Sequence, residues 1–236
     1  MHIQWHAHIP PLPPPLPPET RTVGQLVAES IRLYGRRFWL ALPLGASVAL
    51  LEQVLIEFGN EVRLVLLATV GGVLLSASYT AASALASETR LTRSSILVAV
   101  SAGAAAFLPF PFLVLGFVLP GLAWLAFVGL VVPAAAIERL GFRAAFRRAI
   151  ELARADYVHA LGSLATLVIL YVITRLVLVL LLRGSGDQTE RVAIFLADLV
   201  ISPLLFLGAA LLYFDQAARV PGRRGSRRAK PGSAGA

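Results

Sequence analysis

Residues 95 to 137, "SILVAVSAGAAAFLPFPFLVLGFVLPGLAWLAFVGLVVPAAAI", run without a single charged side chain. That is about twice the 20 or so apolar residues needed to cross a bilayer as a helix, so the stretch holds two spans and a reversal. A proline inside a helix costs about 3 kcal/mol, and Pro109 and Pro111 lie near the middle of the run. The sequence therefore predicts spans over residues 95–108 and 113–137 with a tight hairpin between them.

Working outward, further apolar stretches follow the same rule: residues 38–58, 62–86, 157–182 and 192–213. Six spans result. Within the second, Ala68, Gly72, Ser76, Thr80 and Ala84 recur every fourth residue, giving one face of small side chains where a neighbouring backbone can come close. The whole chain agrees with a membrane origin. It is 57% hydrophobic and 14% charged over 236 residues, against about 45–50% and about 25% in ordinary soluble domains. There is no cysteine, which excludes disulfides, thiolate metal sites and cysteine nucleophiles.

Charge placement gives the expected orientation. With a cytoplasmic N-terminus, 17 of the 21 Lys and Arg residues flank the spans on the inside, and Arg63, Arg183 and Arg191 are outside. This is the positive-inside asymmetry, and it requires an even number of spans. The expected location is the bacterial cytoplasmic membrane, multi-pass, with both termini cytoplasmic. The net charge of +8 is thus read as topology, and no nucleic-acid partner is expected. The N-terminal residues 1–20, rich in proline, are expected to form a disordered cytoplasmic arm, and residues 220–236 a disordered basic tail. The arm lacks the charged and apolar regions of a signal peptide. Its His2, His6 and His8 have no acidic or thiol ligand nearby, so no metal site is expected there.

Two amphipathic segments, residues 22–36 and 142–155, precede the first and fifth spans. In each, apolar residues at helical spacing oppose a charged face, as expected of helices lying in the cytoplasmic headgroup layer. Arg36, Arg37, Arg143, Arg147, Arg148 and Arg154 are then the candidate contacts to anionic lipid headgroups. Asp156 stands where it can cap the fifth span.

Ionisable residues inside spans need partners. Arg175 lies 12 residues before Asp187 in the outer turn and Asp198 lies 11 after it, which puts the two at equal depth on antiparallel helices. An Arg175–Asp198 ion pair is expected, with Glu52 and Glu57 joining the cluster and Gln53 adding a hydrogen bond. Such a cluster either fixes helix register or forms a charged binding site or proton path. His159 stands alone at the start of the fifth span and reads as interfacial.

Three motifs carry a family resemblance: "TVGQLVAESIRLYGRRFW" (22–39), "VPAAAIERLGFRAAFRRAIELARADYVHALG" (132–162) and "LLYFDQAAR" (211–219). Together they resemble a group of uncharacterised bacterial six-helix membrane proteins, some similar to the membrane domain attached to glycerophosphodiester phosphodiesterases. The resemblance spans about residues 21–219 and implies that Pro133 and Glu138 close the fourth span, with Arg143, Arg147 and Arg148 on the helix that follows. No soluble phosphodiesterase domain accompanies these motifs, so the resemblance implies the fold and not the activity.

The expected protein is all-α: a polytopic membrane helix bundle with six transmembrane helices and two cytoplasmic interfacial amphipathic helices. Its membrane domain covers residues 21–219. No acid, base and nucleophile set assembles, so the expected role is a non-enzymatic membrane scaffold or accessory subunit without cofactor, partnered by lipid and by another protein or a second copy. The alternative is a small-solute transporter or channel built on the charged cluster, with a lipid-acting enzyme a more distant third.

Overall fold

The computed structural model describes residues 17–184 and 186–220, and these fold into eight helices with no strand among them. They are α1 (Val23–Arg36), α2 (Phe38–Leu55), α3 (Asn60–Ser87), α4 (Arg93–Val114), α5 (Val118–Ile137), α6 (Phe142–Ala155), α7 (Tyr157–Leu181) and α8 (Asp187–Arg219). Six of them, α2 to α5 with α7 and α8, are long and apolar enough to cross a membrane. The Pro-rich arm, apart from residues 17–20, and the basic tail after Val220 lie outside the described residues.

The centre of the bundle is built on small residues. Gly103 of α4 sits so close to α3 and α5 that an added Cβ would lie 2.6 Å from both Ser76 Oγ and Val132 Cγ2. Ser76 and Thr80 bury their hydroxyls by donating to carbonyls four residues back, Gly72 and Ser76. Each polar group is thus satisfied within its own helix, and the face stays available for close packing. Ala99, Ala102 and Ala106 of α4, with Ala134, Ala135 and Ala136 of α5, complete this tightly closed layer.

The double proline does not reverse the chain. Helix α4 breaks at Leu108–Pro109, then Pro111 falls in the first turn of the next helical segment, Phe110–Val114. A proline there has no N–H bond to lose, so the helix resumes. The reversal comes over residues 115–117, where Phe117 is extended, and α5 starts at Val118. Trp124 Nε1 then donates to Ala106 O at 2.7 Å and fixes the two arms of the hairpin.

The two segments read as headgroup-layer helices do form, as α1 and α6, and protein covers much of their apolar faces, with Ile31 and Phe142 left exposed. Thr22 and Gln25 cap α1 reciprocally. Its Leu26, Ser30, Leu33 and Tyr34 are buried, and Tyr34 Oη donates to Val200 O of α8 at 2.8 Å. In α6, Ala145, Ala149, Leu152 and Ala153 are fully buried against α5 and its neighbours α4 and α8. Tyr157, expected at the interface, donates from Oη to Ala123 O at 3.0 Å, so the start of α7 is held to the first half of α5. The cause is side-chain size: a row of alanines lets two helix backbones approach, and packing wins over lipid contact.

Helix α8 carries Pro203 in its interior, which leaves Leu199 O without its usual N–H partner. Gly45, in the 3₁₀ turn Leu42–Gly45 of α2, packs directly on that carbonyl.

Candidate functional site

Three spans bring the intramembrane charges together. Glu52 comes from α2, Arg175 from α7 and Asp198 from α8. The shortest contact is between Arg175 Nη2 and Glu52 Oε1, at 2.6 Å. Asp198 is fully buried; its Oδ1 accepts from Tyr171 Oη at 2.7 Å, and Arg175 Nη1 is 3.9 Å from its Oδ2. Arg63 of α3 adds a second cation 3.8 Å from Glu52 Oε2. Two carboxylates thus face two guanidiniums, with a phenol between. Burying such charges is tolerable because each lies within reach of an opposite one.

Asp198 and Arg175 are within ion-pair distance through Oδ2, but Glu52 holds the direct hydrogen bond, while Asp198 Oδ1 accepts from Tyr171. Glu57 is not part of this group. It lies at the mostly exposed end of α2, 3.5 Å from Arg191, and Gln53 donates to the Arg191 carbonyl at 3.3 Å. Tyr171 went unread in the sequence; its signal was its position one helical turn before Arg175.

The candidate headgroup arginines divide in two. Arg148 is held inside the protein by Glu138 at 2.9 Å and Glu151 at 2.9 Å, and Tyr213 Oη donates to the same Glu138 oxygen at 2.6 Å. Burial disfavours the charged form of Arg148, yet the two glutamates outweigh this and hold its pKa above the ordinary value. Arg37 pairs with Glu88, and Arg36 lies 3.6 Å from Glu29. Arg143, Arg147 and Arg154 stay exposed on α6 and form no ion pair among the described residues.

A second polar group, not anticipated from the sequence, joins the beginning of α1 to the end of α8. Arg21 Nη1 donates to the fully buried Asp215 at 2.7 Å, and Arg219 Nη2 donates to the Arg21 carbonyl at 2.8 Å. Arg219 also pairs with Asp156, while Gln216 Nε2 donates to the Asp156 carbonyl at 2.8 Å. Asp156 caps α7 by accepting from the His159 N–H at 3.0 Å. Burial pushes the Asp156 carboxyl up, but the His159 N–H and the Arg219 guanidinium hold it below the usual carboxylate value. His159 is largely buried here, its Nε2 3.6 Å from Asp215 Oδ2. Among the described residues no three His, Cys, Asp or Glu side chains gather as a metal site would need.

Six apolar helices long enough to span, packed on small residues and pinned by internal charge pairs, define the class: an all-α, multi-helix membrane bundle. Compared with known proteins, the chain matches no family model, no curated protein and no solved structure. Nothing in these comparisons links it to the membrane domain of glycerophosphodiester phosphodiesterases.

Proposed function

We propose that the protein is a non-enzymatic scaffold or accessory subunit of the bacterial cytoplasmic membrane, with both termini cytoplasmic. The observation that carries this reading is the mutual engagement of the intramembrane charges. Arg175 is spent on Glu52 at 2.6 Å and Tyr171 on Asp198 at 2.7 Å, contacts that serve helix register. The exposed Arg143, Arg147 and Arg154 supply a basic face for anionic lipid headgroups or an acidic partner surface.

One observation favours transport instead: Asp198 Oδ2 is buried and has no hydrogen-bond donor, one turn before Pro203 in the interior of α8. Proteoliposomes separate the two. A scaffold gives no proton flux above empty vesicles under an imposed pH gradient and potential, with an enclosed pH dye as probe. Flux that disappears in Asp198→Asn would overturn the scaffold reading. Orientation is testable without background labelling because the chain has no cysteine. A cysteine at position 147 should react from the cytoplasmic side and one at position 183 from the other; labelling of both from one side would refute the topology.

A further inference from the structure

Each of the six spans contributes to one internal cavity of about 180 Å³. Val48 (α2), Leu75 (α3), Phe107 (α4), Leu125 (α5), Leu164 (α7) and Phe206 (α8) stand on its wall. In α2, α3, α5 and α8 the lining residues fall around the middle of the helix, so the cavity lies deep in the apolar zone. Its wall borders the Leu108–Pro109 break of α4 and includes Gly129 and Leu130, where α5 is interrupted. Interrupted helices pack less completely, and here two interruptions face the same space.

The lining decides what can enter. It is almost wholly hydrocarbon, and its one phenol, Tyr79, is committed: its Oη donates to Ala209 O at 3.1 Å. A water needs two to four polar partners, and none is free on this wall. A cavity of about 150 Å³ lined by Leu, Ile and Phe stays dry and takes up benzene or xenon, so this slightly larger one calls for an apolar guest. The space is also not sealed. Leu75, Leu125, Leu164, Val168 and Leu205 are only half-buried, and exposed Leu74 and Ile169 adjoin two of them on the outer surface. On spanning helices that surface faces lipid, whose acyl chains end near the bilayer centre, at the depth of the cavity.

We propose that this cavity binds the methyl-terminal part of one phospholipid acyl chain, entering between the half-buried leucines. Since a dry cavity of about 150 Å³ takes up six-carbon benzene, this volume admits a tail of about six carbons. No polar group fixes a headgroup there, so the site selects for hydrocarbon and leaves the headgroup to the membrane surface. The occupant joins α7 to α3, α4 and α5 at a level where direct packing between them is interrupted.

The proposal rests on the six helices being bilayer spans, which flotation of the full chain with vesicles establishes separately. With Trp5 and Trp39 replaced by Phe, Trp124 is the sole indole, next to Leu125 of the wall. The protein is reconstituted in phosphatidylcholine brominated either near the chain methyl or near the carboxyl. Methyl-terminal bromine should quench Trp124 at least twofold more strongly. Ala209→Leu, which fills the cavity, should abolish that excess while helical content and monodisperse elution are retained. Equal quenching from the two positions, or an excess unchanged by Ala209→Leu, would overturn the proposal. Should that variant not fold, native mass spectrometry of the unsubstituted protein decides. One phospholipid retained through detergent washing supports the site; detergent alone, or nothing, refutes it.

Discussion

Replacing Gly45 by alanine tests how α2 and α8 are joined. A Cβ there would lie 2.1 Å from Leu199 O, 2.7 Å from its carbonyl carbon and 2.9 Å from its Cα. All three are backbone atoms, so no side-chain rotation relieves the clash. Reaching an ordinary 3.4 Å contact means moving α2 from α8 by 3.4 minus 2.1, or 1.3 Å. Overpacking of this kind costs about 1–3 kcal/mol. The movement also strains the hydrogen bond that joins α2 to α8, from Gln53 Nε2 to the Arg191 carbonyl, worth about 1 kcal/mol. Alanine returns about 0.5–1 kcal/mol of backbone entropy. The expected net loss is about 1–3 kcal/mol. Gly35 supplies the control: nothing lies within 4 Å of its added Cβ inside α1, so Gly35→Ala should gain about 0.5–1 kcal/mol. Equilibrium unfolding in detergent, followed by circular dichroism, reads both. A neutral or stabilising Gly45→Ala would refute the close approach, and so would a loss of equal size at Gly35.

The charge cluster predicts unequal couplings. In double-mutant cycles, Arg175→Leu with Glu52→Leu should couple by about 1–3 kcal/mol, more than Arg175→Leu with Asp198→Leu; the reverse order would contradict the 2.6 Å and 3.9 Å geometry. Because the folded pKa of Asp156 lies below its ordinary 3.8, its contribution is fully present above that value and lost as pH falls through the lowered one. Asp156→Ala should therefore cost about 1 kcal/mol at neutral pH. The gap to the unsubstituted protein should close in acid, and a pH-independent gap would rule the cap out. Tyr157→Phe removes the hydroxyl donor to the Ala123 carbonyl and should lose about 1 kcal/mol, read by the same unfolding assay. No loss would show that this bond does not hold the start of α7 to α5.

How far the sequence carries can be judged from particular residues. The charge-free run from Ser95 to Ile137 announces two spans, because length against bilayer thickness leaves no other solution. It does not locate the turn, since Pro111 in a first helical turn breaks nothing. Helical spacing of Ala145, Ala149 and Ala153 identifies an apolar face but not what covers it. Their small size was the available clue, as membrane-surface helices favour Trp, Phe and Leu on that face. For the cluster, equal depth brought Arg175 near Asp198, whereas the preference for Glu52 depends on side-chain reach and on Tyr171, whose spacing marks it as a neighbour of Arg175 but not as the donor to Asp198. "FDQAAR" at the end of α8 reads as an ordinary polar helix end. Its partner Arg21 stands 194 residues from Asp215, too far for any local pattern to pair them.

That separation has a consequence for how the protein is made. Arg21 is synthesised 194 residues before Asp215, the carboxylate that neutralises it, and Arg219, which holds its carbonyl, follows later still. Until α8 has been made these contacts to Arg21 cannot form, whatever packing α1 finds on α7. The clasp can therefore close only after all the helices between α1 and α8 have been synthesised, so truncation before Asp215 leaves it open.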